Sequence, residues 1–125
     1  MSKKKILIFD DETSILEVIF IVLNDLGYEV EVSETADDII QKVSDFQPDV
    51  IIMDNWIPVI GGVEATKLLK AHPDYKSIPV IYITANNDIA SLANEAKADD
   101  YVPKPFDLED LEKKVLKWIH HKISS

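Results

Sequence analysis

The stretch Pro48-Asp49-Val50-Ile51-Ile52-Met53-Asp54 sets the fold. A proline and an aspartate open it, four apolar residues follow without a break, and a carboxylate closes it. So short a run, apolar at successive positions and rich in β-branched residues, suits a strand buried on both faces, as in a parallel sheet covered by helices. We place that strand at Asp49–Met53. After it comes a loop ending in Gly61-Gly62 and then a helix over Val63–Ala71.

The same unit recurs on either side. Toward the N-terminus, Lys5–Phe9 is a strand and Ser14–Leu26 has helical spacing, with Ser14 and Glu17 in capping-box register and Gly27 as the stop. Tyr28–Val32 alternates like a strand, and Thr35–Phe46 follows as a helix with Thr35 as cap and Asp37 and Asp38 in its first turn. Toward the C-terminus, Pro79–Ile83 is a fourth strand, Asn87–Lys97 a short helix, Asp99–Val102 a fifth strand and Asp107–Ile123 a last helix. Five strands alternating with five helices predict a doubly wound α/β fold. Its site should lie beyond the carboxyl ends of the strands.

At 125 residues the chain fits one domain, expected to span 1–125 with no output domain after it. It has no cysteine, which excludes a disulfide framework and a thiol nucleophile. A formal charge of −10 opposes phosphate backbones and anionic lipid, so neither direct nucleic-acid binding nor a membrane is expected. The lysines at Lys3–Lys5 precede an apolar run too short for an export signal, and Ile15–Leu23 carries Glu17 and falls short of a membrane span. A cytoplasmic protein is expected.

The strand ends carry chemistry. The first strand ends in Asp10-Asp11, the third in Asp54, the fourth in Thr84, and the fifth leads to Lys104. Converging carboxylates repel one another unless a cation sits among them, and oxygen-only donors suit a hard divalent ion: magnesium, with manganese as the alternative. A metal, a carboxylate, a lysine and a hydroxyl together fit phosphoryl transfer, and the carboxylate can itself be the acceptor. No glycine-rich nucleotide loop is present. His72, His120 and His121 do not face a common point, and we read them as surface residues.

Five segments now resemble the receiver domains of two-component response regulators: ILIFDDE at 6–12, PDVIIMD at 48–54, IPVIGG at 57–62, PVIYITA at 79–85 and ADDYVPKPF at 98–106. The resemblance implies a flavodoxin-like sheet of order 2-1-3-4-5. It implies that Asp54 accepts a phosphoryl group from a phosphohistidine on a sensor histidine kinase or a histidine phosphotransfer protein. Asp11, Asp54 and the backbone carbonyl of Trp56 would bind the metal, Asp10 would act through a metal-bound water, and Lys104 would pair with phosphoryl oxygens. Thr84 would move to a phosphoryl oxygen and Tyr101 would turn inward behind it. That motion would remodel the surface of helix four, strand five and helix five for a downstream protein target. Such a protein is not an enzyme in the ordinary sense, since it catalyses only its own phosphorylation and dephosphorylation.

Two positions depart from the family pattern. Gly61 stands where an acid or Asn is usual, which should loosen the loop. Lys97 stands where Gly is usual, at a turn whose left-handed form costs a side chain roughly 1–2 kcal/mol.

Further expectations concern tuning and docking. Trp56 and Asn86, each two residues past a site residue, are expected to set the phosphoryl lifetime. Helix one carries two apolar stripes: Ile15, Val18, Ile19, Val22 and Leu26, and beside it Leu16, Phe20 and Leu23. Leu16 and Phe20 are expected to help dock the phosphodonor. In the last helix Leu108, Leu111, Val115 and Ile119 should face inward, with Trp118 at the edge. The rival readings are a haloacid-dehalogenase-type phosphatase using Asp10, whose D-x-D motif is broken here by Glu12, and a scaffold that has the fold without the chemistry.

Overall fold

A computed structural model of the chain describes residues 4–10, 13–36, 38–54, 61–84, 89–104 and 107–119. Strands and helices alternate: β1 (Lys5–Phe9), α1 (Thr13–Asp25), β2 (Glu29–Ser33), α2 (Ile39–Phe46), β3 (Val50–Asp54), α3 (Gly61–Ala71), β4 (Val80–Thr84), α4 (Ile89–Ala96), β5 (Asp100–Pro103) and α5 (Leu108–Ile119). All four pairings are parallel, in the order β2-β1-β3-β4-β5. This is the expected flavodoxin-like doubly wound sheet.

Successive side chains of a strand point to opposite faces, and the inner strands are apolar on both. Ile6, Ile8, Val50, Ile52, Ile81, Ile83 and Val102 pack under α1 and α5. Leu7, Phe9, Ile51, Met53, Val80 and Tyr82 pack under α2, α3 and α4. Full burial of a side chain such as Ile8 or Ile52 is worth about 1.5–3 kcal/mol, so the two layers hold the central strands in register. The edge strand β2 instead turns Glu29 and Glu31 to solvent. Among the described residues no helix is long and apolar enough to cross a membrane.

Four strands begin one residue later than the pattern suggested, and for two of them the cause is an aspartate. Asp49 donates its N–H to Lys5 O (2.7 Å) while its carboxylate accepts the Lys5 N–H (2.8 Å). Asp99 does the same with Val80, at 2.9 and 2.8 Å. Each aspartate clamps the foot of a neighbouring strand and precedes its own. Lys70 Nζ reinforces the second clamp at 2.6 Å from Asp99 Oδ2.

The helix starts need correction. α1 begins at Thr13, so Ser14 lies within the first turn and the capping-box reading fails. α2 begins at Ile39, and Thr35 is not its cap: Asp38 holds that place, without a side-chain cap bond. The Thr35 carbonyl accepts from Ser33 Oγ (2.7 Å) and Lys42 Nζ (3.0 Å), which keeps that segment out of the helix. Asp38 pairs with Lys42 at 3.0 Å; Asp37 lies outside the described residues.

The two stripes of α1 also divide differently. Leu16, Ile19 and Leu23 are buried, whereas Val18, Phe20, Ile21 and Leu26 are exposed; the Ile15 side chain lies outside the described residues. A single helix face meets the sheet, and 3.6-residue spacing allows only one of the overlapping stripes to be that face. In α5, Leu111, Val115 and Ile119 are buried as expected, and Leu108 is half-buried.

Left-handed residues end three helices. Gly27 (φ +96°) closes α1, with Tyr28 N–H donating to Leu23 O. Lys97 (φ +65°) closes α4 with the equivalent bond, Ala98 N–H to Ala93 O, so the turn keeps its shape without glycine. Gln47 (φ +55°) closes α2.

Candidate functional site

The strand register brings the site together. Phe9 pairs with Met53, which sets Asp10 beside Asp54 one residue on. Asp54 pairs with Ile83, and Thr84 with Pro103, so Thr84 and Lys104 complete the row at the carboxyl edge of the sheet. Two backbone bonds extend the sheet one step past its strands and fix these ends: Asp10 N–H to Ser33 O (3.1 Å) and Lys104 N–H to Thr84 O (2.9 Å).

Asp10 is 0% exposed, Asp54 1% and the Lys104 side chain 8%. The Lys104 ammonium donates to Asp10 Oδ2 at 3.0 Å and stands 3.4 Å from Asp54 Oδ1. Residues 94 and 50 positions apart in sequence therefore share one charge cluster. Among the described residues, two carboxylates stand against one ammonium in a poorly hydrated place, a charge balance that favours a further cation. Thr84 is fully buried on the adjacent strand. Tyr82, two residues earlier, is buried too; burial first, then the charges of Asp54 and Glu95, push its hydroxyl pKa up, so the phenol stays protonated.

Asp10 and Asp54 offer hard oxygen ligands at one point, which suits magnesium, an ion that takes one or two carboxylates and keeps its waters. Among the described residues no three metal-ligating side chains cluster. Asp11, Trp56 and Asn86, the other expected ligands and tuning residues, lie outside the described residues.

The remaining expected residues separate. Tyr101 is 38% exposed on β5 and sits beside Tyr82 in the register. Phe20 is 39% exposed and Leu16 is 4% exposed, packed into the core under α1, and both line one groove between α1 and β2.

Two contributions escaped the sequence. Lys42 Nζ donates to Ser33 Oγ (2.7 Å), bracing the residue whose carbonyl holds Asp10. Asp100 accepts from Lys114 Nζ (2.8 Å), Trp118 Nε1 (2.8 Å) and the Tyr101 N–H (2.8 Å). Burial alone would raise the Asp100 pKa; these bonds and the Lys114 charge outweigh it and hold the carboxyl below its ordinary value. Neither cluster has a periodic spacing that could announce it.

Comparison with known proteins agrees with this geometry. The family model for the response regulator receiver domain matches residues 6–116. The CAI-1 autoinducer sensor kinase/phosphatase CqsS of Vibrio cholerae is 32% identical over 94% of this chain and 18% of its own length. The DNA-binding response regulator MtrA of Mycolicibacterium smegmatis is 31% identical over 87% of this chain and 47% of its own. The chain thus spans less than half the length of these curated relatives. The receiver domain of the sensor histidine kinase PA1611 of Pseudomonas aeruginosa, solved with magnesium in its active-site cleft, superposes with a TM-score of 0.86 at 28% identity, covering 96% of this chain and 100% of that one. These matches give no support to the phosphatase reading. With the strand-end carboxylates and lysine in place and the match running through β1 to α5, the chain belongs to the receiver domains of two-component response regulators.

Proposed function

We propose that Asp54 is a phosphoacceptor served by a phosphohistidine on a sensor kinase or histidine phosphotransfer protein. The observation that carries this reading is the convergence of Lys104 on the buried carboxylates of Asp10 and Asp54. One Asp54 oxygen attacks phosphorus as the bond to the donor imidazole nitrogen breaks, and the imidazole leaves with the electron pair. Lys104 meets charge on the phosphoryl oxygens, as its position beside Asp54 allows. Asp54, Asp11 and the Trp56 carbonyl, with Asp10 acting through a metal-bound water, would hold magnesium, which when bound neutralises charge on the acceptor and the transferring oxygens. The acyl phosphate is later hydrolysed, and Trp56 and Asn86 set its lifetime by controlling the approach of water.

The output is a change of surface. Thr84 moves to a phosphoryl oxygen and Tyr101 turns inward, altering the face made by α4, β5 and α5 for a protein target. A switch from 1:99 to 99:1 needs ~5.5 kcal/mol of differential contact, to which the phosphoryl contacts of Thr84 and Lys104 contribute. The donor docks on α1, where Phe20 and Ile21 rim an apolar groove of about 340 Å³ against Val32 of β2. Incubation with acetyl phosphate and magnesium tests the chemistry. One hydroxylamine-sensitive phosphoryl group per chain, mapped to Asp54 by mass spectrometry, is expected; an adduct elsewhere, or none, defeats the reading.

A further inference from the structure

Lys114 has three engagements on the β5 side of α5. Its ammonium donates to Asp100 Oδ1 (2.8 Å) and to Tyr101 O (2.7 Å), and it stands 5.3 Å from the centroid of the Tyr101 ring. The other Asp100 oxygen accepts the Trp118 indole N–H at 2.8 Å, which fixes the carboxylate that anchors the lysine. The cation is therefore held by groups other than the ring, and the ring lies against it, 38% exposed.

We propose that Lys114 is a positioning residue that holds Tyr101 outward and so sets the fraction of unphosphorylated protein already in the inward form. This rests on the switch reading given above. A mobile surface lysine would lose conformational freedom on meeting an aromatic ring, but Lys114 is already ordered by Asp100 and the Tyr101 carbonyl. The ring-facing attraction therefore acts on the choice of Tyr101 rotamer. A cation over a tyrosine face at a partly exposed site favours that contact roughly two- to five-fold, enough to bias a switch without locking it.

The test places 3-fluorotyrosine at position 101 alone and reads its orientation by fluorine NMR in wild type, Lys114→Met and Lys114→Arg, all unphosphorylated. Lys114→Met keeps the apolar stem and removes the charge, and should raise the inward population roughly two- to five-fold. Lys114→Arg restores a cation able to stack on the ring and should return the population toward wild type. Equal populations in wild type and Lys114→Met overturn the proposal. An equal change in Lys114→Met and Lys114→Arg also overturns it, because stem packing rather than charge would then be responsible. Phosphorylating wild type with acetyl phosphate and magnesium separately tests the underlying switch. If the resonance does not move, that reading fails, while the unphosphorylated comparison still decides the role of Lys114.

Discussion

Lys104 Nζ lies 3.4 Å from Asp54 Oδ1, and both side chains are withdrawn from solvent. The ammonium serves two carboxylates at once, so its removal takes a counter-charge from both. Lys104→Met is expected to cost about 3 kcal/mol in metal-free buffer, since breaking a buried pair leaves an uncompensated charge. Urea unfolding with and without magnesium checks this. Magnesium should recover more stability in the variant than in wild type, because it then meets two carboxylates with no competing ammonium.

Asp54→Asn acts in the opposite sense. It is expected to abolish phosphorylation, and by removing one of two neighbouring buried negative charges it should stabilise the metal-free protein by about 1 kcal/mol. A thermal midpoint below that of wild type would contradict this accounting.

Gly27 and Lys97 form a matched pair for measuring backbone strain. Both end a helix in the left-handed region, and a Cβ on Gly27 would meet nothing within 4 Å, so sterics beyond the backbone do not enter. Gly27→Ala should lose, and Lys97→Gly gain, roughly 1 kcal/mol, a shift in Tm of roughly 3–5 °C in opposite directions.

Leu16 and Phe20 should part company when truncated. Leu16→Ala opens a cavity under α1 and is expected to cost about 2–4 kcal/mol. Phe20→Ala removes a half-exposed ring, should cost less than about 1 kcal/mol, and should slow phosphotransfer from the donor protein while leaving the rate with acetyl phosphate unchanged. Equal rates with the donor protein would remove Phe20 from the docking surface.

Asp100 gives the acid limb of stability a definite sign. Its folded pKa is depressed below the ordinary 3.8, so the contribution is fully present above that value and is lost as pH falls through the lower folded one. The stability difference between wild type and Asp100→Asn, followed by urea unfolding from pH 6 downward, should shrink below about pH 4. A difference that persists unchanged would remove Asp100 as a titrating contributor.

The strand-end residues were legible because each apolar run stops at a polar group, and parallel winding collects those stops on one edge. Asp10, Asp54, Thr84 and Lys104 needed nothing more. The inward face of α1 was not legible, because Val18, Ile21 and Leu26 are as apolar as Ile19 and Leu23, and only the docked sheet distinguishes them. Thr35 looked like a cap because its hydroxyl suits one; the pull of Lys42 and Ser33 on it comes from tertiary structure. Asp100, Lys114 and Trp118 meet only because α5 folds back along β5.

The paired aspartate clamps at Asp49 and Asp99 give the sheet a polarity of stiffness. Its amino-terminal rim is stapled by reciprocal side-chain and main-chain bonds, one of them backed by Lys70. The opposite rim gathers like charges that resist close approach. On the proposed switch, motion triggered at that rim would have a stationary base to lever against and would travel sideways toward β5 and α5 without loosening the whole domain.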